Sequence, residues 1–409
     1  MSEVRPKLRP VEALPAQSAG RQVVILRDAS GLSDRTVAVP PNMFFLLTLF
    51  DGTRTLREVQ VEYARKSGEL LLSEHLERIV HDLDANLLLE GETFARFAQE
   101  QRQQFADLTV RPASHAGKAY PADPGLLRDQ LRSYFAVAAL DNPLSEQELS
   151  TPPAALIAPH IDFARGGSCY AHAYRHLSES TAPPPDLLVI LGTAYSAPPS
   201  PYVLTRKNFI TPLGEARASG EILDAVEQRW PRARELYRDE LSHRGEHSIE
   251  FHVVFAQYAL GEERMPPILP ILCSLGQEDS TRDSDEAERF VQALRDALAE
   301  HVPAACVIAG ADLSHIGQRF GDQGPLTSGA LEATEQGDRR LLAHAEQLDA
   351  DGLRQAARDE TGARNVCGLS SIYTLVRIAP ATEGKLLRYE QAVERPTQSM
   401  VSFAAMVFR

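Results

Sequence analysis

TPPAALIAPHID (151–162) sets a short apolar run directly before a proline, a histidine and an aspartate. Three other stretches repeat that arrangement: DLLVILGTAYS (186–196), PPILPILCSLG (266–276) and AACVIAGADLSH (304–315). Compact apolar runs that end on Gly, Pro, Ser or Asp, with no polar alternation, read as strands buried on both faces. Helical patterns such as SGEILDAVEQRW (219–230) and DEAERFVQALRDALAEH (285–301) fall between them. This alternation predicts an α/β fold, a sheet flanked by helices on both faces. GKLLRYEQAVER (384–395) and SMVSFAAMVFR (399–409) read as two further strands.

Open α/β sheets collect functional groups just past the carboxyl ends of their strands. His160 and Asp162 follow the first run, Tyr195 follows the second, and Asp312 and His315 close the fourth. RGEHSIEFH (244–252) adds Glu246, His247, Glu250 and His252, and NVCGLSS (365–371) adds Cys367. Imidazole and thiolate are ligand types that iron, copper and zinc accept. A histidine at a strand end is equally well a hydrogen-bonded structural residue, and that alternative stands for each of these. His172 and His176, one helical turn apart in YAHAYRHL (170–177), read first as a buried structural face and second as a metal pair. There is no HExxH, GxSxG or P-loop pattern.

A chain of 409 residues predicts two or three domains. The net charge of −14 argues against nucleic acid as partner, since phosphate binding needs a basic face. No apolar run approaches the roughly 18 residues of a membrane span, and the N-terminus lacks a signal-peptide core. Cys169, Cys273, Cys306 and Cys367 form no CxxC pair and read as buried thiols, so the expected location is cytoplasmic. Residues 1–20 read as a flexible leader. In residues 21–95, QVVILRD (22–28) and RTVAVP (35–40) read as strands. PNMFFLLTLFDG (41–52), LREVQVEYARKSG (56–68, after Thr55) and SEHLERIVHDLDANLLLE (73–90, with Ser73 as cap) read as helices. Residues 96–110 read as a polar helical linker, and 111–409 as the main domain.

The order of these N-terminal elements, with the turn FDGTRTLREV (50–59), resembles the PqqD-like winged-helix domains, which hold a peptide against a strand edge. The resemblance implies a small α+β winged-helix-like domain with a protein or peptide partner. A plain interaction or dimerisation module is the alternative.

Eight motifs then occur in the order of the Memo family: HAGKAYPAD (115–123), ALIAPHIDFARGG with CYAHAYRHL (155–177), LLVILGTAYS (187–196), TPLGE (211–215), EHSIEFHVVFAQY (246–258), ADLSHIGQRF (311–320), VCGLSSI (366–372) and SMVSFAAMVF (399–408). The resemblance implies a mixed sheet like that of the catalytic subunit of class III extradiol dioxygenases. It also implies a metal site carrying iron or copper. His160 matches the first ligand and Cys367 the thiolate. Asp312 and His315 match the catalytic pocket residues, and Glu246, His247 and His252 line the pocket. Two positions depart from the pattern: Tyr195 stands where the family has a ligand histidine, and Leu369 where it has an arginine. A phenol must lose its proton against a pKa of about 10 to bind a divalent ion, whereas a ferric ion could hold a tyrosinate. Asp162, where the family commonly has Gly, is a candidate substitute ligand; a helix cap or a partner for Arg165 is its other reading.

Two functions follow from the resemblance. One is a non-catalytic or metal-handling partner in a radical-enzyme-associated system of the AmmeMemoRadiSam type. The other is a metal-dependent oxidoreductase with His160 and Cys367 as ligands and His315 as acid/base.

Overall fold

The structure is a computed structural model that describes residues 4–18, 20–195, 200–275, 281–359 and 364–409. Ser196 and Gly276, which close two of the apolar runs, and residues 1–3 and 19 of the expected leader lie outside the described residues. The chain divides into two compact units, Met1–Asp107 and Leu108–Arg409.

In the first unit, β1 (Val11–Ser18), β2 (Arg21–Asp28) and β3 (Thr36–Val39) form an antiparallel sheet in that order. Helices α1 (Pro41–Leu47), α2 (Leu56–Ser67), α3 (Ser73–Ala85) and α4 (Glu92–Ala106) follow. Leu26, Leu46, Leu47, Val59, Leu76 and Leu83 make its core. Thr55 caps α2 in a reciprocal box with Glu58. Two expectations need correction. Residues 11–18 are strand β1, because Val11 to Ser18 pair in register with Asp28 to Arg21, so this part of the leader is ordered. The N-cap position of α3 is Leu72, with no side-chain hydrogen bond; Ser73 is the first helical residue. The polar stretch 92–106 is helix α4, which buries Ala98 and Phe105.

The second unit runs β4 (Val110–Arg111), α5 (Pro124–Asp141), α6 (Glu146–Ser150), β5 (Ala155–Ala158), α7 (Phe163–Ser178), β6 (Leu187–Thr193), β7 (Tyr202–Leu204), β8 (Asn208–Thr211) and β9 (Gly214–Ala216). It continues through α8 (Gly220–Arg229), α9 (His247–Leu260), β10 (Ile268–Cys273), α10 (Thr281–His301), β11 (Ala305–Gly310) and β12 (Asp312–Gly317). The remaining elements are α11 (Ser328–Glu346), α12 (Ala350–Asp359), β13 (Asn365–Val366), α13 (Leu369–Ile378), β14 (Gly384–Glu394) and β15 (Ser399–Phe408).

A nine-stranded sheet runs β13-β12-β15-β5-β11-β6-β10-β7, with β14 added to β15. Its centre, β5, β11, β6 and β10, is parallel, and its flanks are antiparallel. β15 pairs along its whole length with β14 and, on its other edge, with β12 at its start and β5 at its end. Every residue of β5, β6, β10 and β15 is buried, which is why these strands read as unbroken apolar runs. Alternate residues serve two cores. Leu156, Leu188 and Ile190 join Phe163, Tyr170 and Phe255 of α7 and α9, while Ile157, Val189 and Leu191 join Leu223, Phe290, Leu342 and Ile372 of α8, α10, α11 and α13. Among the described residues, no helix is long and apolar enough to cross a membrane.

A buried ion pair fixes the entry to this unit. Arg111 and Glu250 are both fully enclosed and paired. Arg111 also donates to the carbonyls of His243 (2.9 Å) and Glu246 (2.8 Å), and Glu250 accepts from the backbone N–H groups of Ser114 and His115, each at 3.0 Å. Two buried charges survive only because nearly every donor and acceptor is matched; removing one partner leaves the other uncompensated. Glu250→Gln is therefore expected to destabilise the chain by about 3–5 kcal/mol in denaturant unfolding. Asp129→Ala, which removes the partner of Arg132 in an exposed pair, is expected to shift the same transition by less than about 1 kcal/mol.

Candidate functional site

Adjacent parallel strands end at one edge, and three of the residues singled out above lie there. β5 runs into Pro159-His160, β6 into Ala194-Tyr195, and β11 into Ala311-Asp312. Cys367 arrives from the opposite side, just past β13. Its N–H donates to the Leu313 carbonyl (3.3 Å), and that of Gly368 to the Asp312 carbonyl (3.0 Å). The turn needs glycine at 368, since a Cβ there would meet Ala311 Cβ and the Asp312 carbonyl at 2.5 Å. The first turn of α9 supplies Glu246 and His247. Ser248 clips that turn to the end of β6, accepting from Thr193 N (2.9 Å) and donating to Thr193 O (3.1 Å).

His160 organises the centre. It is fully buried, and its Nδ1 lies 3.0 Å from the Gly310 carbonyl, an acceptor only, so Nδ1 carries the proton. Nε2 then presents a lone pair, 2.8 Å from Tyr195 Oη and 3.2 Å from Cys367 Sγ; Tyr195 Oη and Cys367 Sγ are 3.3 Å apart. Three donor atoms thus form a small triangle. Asp312 Oδ1 accepts from the backbone N–H groups of His160 (2.9 Å) and Ile161 (3.1 Å), while Oδ2 lies 3.6 Å from His160 Nε2.

Burial holds the His160 imidazole below its ordinary pKa, so it is neutral. Burial of the Cys367 thiol, reinforced by the nearby Asp312 carboxylate, raises its pKa well above the usual value. The Tyr195 side chain is 50% exposed, but its hydroxyl end is enclosed; burial there, then Cys367 and Asp312, raises the phenol likewise. All three groups therefore hold neutral forms at neutral pH. Beside them is a charged pair. His247 Nδ1 lies 3.1 Å from Glu246 Oε1, and its ring stacks on Tyr195 (centroids 5.5 Å, 20°) and meets His160 edge-on at 5.4 Å. Burial opposes both charges, yet the pair wins: His247 and the Ser248 N–H hold Glu246 at about 2, and Glu246 raises His247.

Other expected site residues lie elsewhere. His315 Nδ1 is 3.2 Å from the carbonyls of both Leu313 and Asn365, and its ring stands edge-on to Phe320 at 5.0 Å. Among the described residues, no hydrogen bond, ion pair or ring contact joins it to the triangle. The β12–β15 register slips between Asp312 and His315, and a bulge of this kind re-aims a side chain. Asp162 is not a substitute ligand: it accepts from Arg165 N (3.2 Å) and pairs with Arg165 Nε (2.6 Å), both a cap of α7 and a salt bridge. His252 does not line the pocket. It lies buried behind Gly310, hydrogen-bonded through Nδ1 to Tyr174 Oη (2.8 Å), and burial pushes it down to about 3. His172 lies 3.7 Å from Asp141 and His176 meets Arg409 at 2.9 Å, which fits the structural reading of that helix.

Sequence reasoning missed His115 and Ser248. The His115 ring meets His247 at 5.8 Å and so belongs to the pocket's outer layer. The motif HAGKAYPAD was the available signal, but no strand run precedes it.

These residues fit a redox metal in part. His160 Nε2 and Cys367 Sγ are conventional ligands, with the imidazole tautomer already set by Gly310. Among the described residues no group of three or more His, Cys, Asp or Glu could hold a metal ion, and the third atom beside His160 Nε2 and Cys367 Sγ is Tyr195 Oη.

A mixed sheet with imidazole, thiol, phenol and carboxylate gathered past its parallel carboxyl ends defines an α/β protein of the edge-site class. Residues 111–407 match the family described as Memo-like protein, and the chain belongs to the Memo family. A MEMO1 family protein of Aquifex aeolicus is 28% identical over 387 residues, 94% of this chain and 95% of its own length. One from Thermus thermophilus is 29% identical over 87% of this chain and 99% of its own. One from Thermococcus kodakarensis is 30% identical over 73% of this chain and 99% of its own.

The proton assignment is open to measurement. Long-range 1H–15N NMR of the metal-free protein with labelled histidine should show His160 as the neutral Nδ1–H tautomer down to pH values below 6.5. His247 should stay protonated above that value.

Proposed function

We propose that this chain is a metal-handling Memo-family protein that holds iron or copper weakly through His160 and Cys367, with Tyr195 in the third ligand position. The observation that carries this reading is the pair of contacts made by Tyr195 Oη, 2.8 Å from His160 Nε2 and 3.3 Å from Cys367 Sγ. A bound redox metal would supply one-electron chemistry. The chain's own residues do the rest: Gly310 fixes the imidazole tautomer, Asp312 fixes the His160 backbone, and Glu246 with His247 keeps a positive charge against the Tyr195 ring. Because the thiol and phenol hold their protons, metal binding must displace at least one, which lowers affinity near pH 7.

In this reading the chain serves as a non-catalytic partner in a radical-enzyme-associated setting in the cytoplasm. The N-terminal unit recruits a protein or peptide in the PqqD-like manner. In support, β3 pairs with β2 along one edge only among the described residues, leaving backbone groups for strand addition.

The test is metal content and dissociation constant for wild type, Tyr195→His and Tyr195→His/Cys367→Ala. Imidazole needs no deprotonation near neutrality, so the single variant should bind a divalent metal about 10-fold more tightly, and the double variant should lose the gain. Tight, stoichiometric iron binding by the wild type would overturn the weakened-site reading and favour a metal-dependent oxidoreductase.

A further inference from the structure

We propose that Asp338 and Arg364, a buried ion pair against β12, are positioning residues that hold the segment carrying Cys367 in place. This goes beyond the metal-handling reading and stands apart from it, because neither the argument nor the readout needs a metal.

Asp338 lies on α11 and is fully enclosed, and the Arg364 side chain is only 7% exposed. Each carboxylate oxygen has two donors. Oδ1 accepts from Ser314 Oγ (2.6 Å) and from Arg364, and Oδ2 accepts from Ser402 Oγ (2.5 Å) and Tyr389 Oη (2.9 Å). Arg364 also donates to Ser314 Oγ (2.9 Å), which closes a ring of three groups. One carboxylate thus joins α11, β12, β14, β15 and the residue that leads into β13.

The strand pairing shows why a side-chain anchor matters here. β13 has two residues, matched to β12 at Ser314↔Val366 and His315↔Asn365. So short a ladder opens easily unless something else holds it. The β12–β15 register slips at the same place, and Ser314, inside the slip, gives its N–H to Ser402 Oγ (2.9 Å). Ser402 in turn donates to Asp338, so the bulge and the Cys367 segment share one anchor. Cys367 follows Arg364 by three residues. Its N–H and that of Gly368 reach the carbonyls of Leu313 and Asp312, which requires β13 to stay on β12.

A glycine makes room for the pair. A Cβ at Gly337 of α11 would meet the central carbon of the Arg364 guanidinium at 2.5 Å. Glycine weakens a helix interior relative to alanine, so its presence here fits the close approach of the guanidinium.

The experiment alkylates the full-length protein, freed of metal by chelator, with iodoacetamide under native conditions. Peptide mass spectrometry reads the rate at each cysteine. Cys169, Cys273 and Cys306 are buried in the two cores and report any loosening of the whole unit. Three variants disturb the anchor in different ways. Gly337→Ala displaces the guanidinium while keeping both charges and favouring the helix. Arg364→Met leaves the Asp338 carboxylate without its cation, and Asp338→Asn/Arg364→Met removes both charges, so no uncompensated ion remains. Each should raise the Cys367 rate about 10-fold or more through local opening, with the other three thiols at wild-type rates. If Arg364→Met alone fails to fold, the other two variants decide. Folded variants in which Cys367 reacts at the wild-type rate would overturn the proposal. Equal acceleration at all four thiols, or failure of all three variants to fold, would make the pair a general stability element and overturn it as well. So would a wild-type Cys367 that reacts as fast as in denaturant, since nothing would then be holding it.

Discussion

Asp312 is the constraint on which the pocket depends. Its carboxylate accepts the backbone N–H groups of His160 and Ile161, its main-chain carbonyl accepts that of Gly368, and it begins β12 directly after β11. One residue therefore ties the loop after β5 to the turn that carries Cys367. Without it the imidazole and the thiol, 207 positions apart in the chain, would have no common reference. A carboxylate receiving two backbone donors is a strong, directional anchor, and it leaves only Oδ2 facing the centre. That is why Asp312 acts here mainly as a scaffold, though the sequence placed it among reacting groups.

Proton bookkeeping distinguishes this pocket from a ready metal site. Desolvation works in one direction on all three central groups: it disfavours imidazolium, thiolate and phenolate alike. The adjacent Asp312 carboxylate adds to the penalty on both anions, and Glu246 to that on the phenolate. Hydrogen bonds from Tyr195 and the backbone act against them on the thiol, and the neighbouring His247 cation is matched to Glu246. The resting pocket is thus a closed set of neutral hydrogen-bonding groups next to one balanced ion pair.

The architecture was legible because buried parallel strands cannot hide: β5, β6, β10 and β11 are apolar throughout, and each ends at a residue type that stops a strand. The same logic found His160, Tyr195 and Asp312, whose positions follow from strand ends alone. Cys367 stood out in NVCGLSS as a candidate, but its match to the thiolate came from the family motif, since its place depends on the two-residue strand β13 that no periodicity reveals. His315 was misplaced because a register slip in β12 is invisible in sequence. His252 was misplaced because, five positions after His247 in α9, it lies about 140° farther round the helix and faces the core. In the first unit, β1 was missed because VEALPAQS contains a proline and little alternation, and its strand state comes from pairing with β2.

The pairing of β15 sets when this pocket can exist at all. Ile157, three residues before His160, finds its antiparallel partner in Met406, and Asp312 finds its own in Phe403. During synthesis, β5 therefore waits with both hydrogen-bonding edges open until β11 emerges, and with one still open until β15 does. Such long sequence separations slow folding and leave an edge exposed to mispairing. Ribosome stalling or proteolysis that removes the 399–408 segment would release a chain with most of its apolar core but an unsealed sheet, a natural substrate for chaperones.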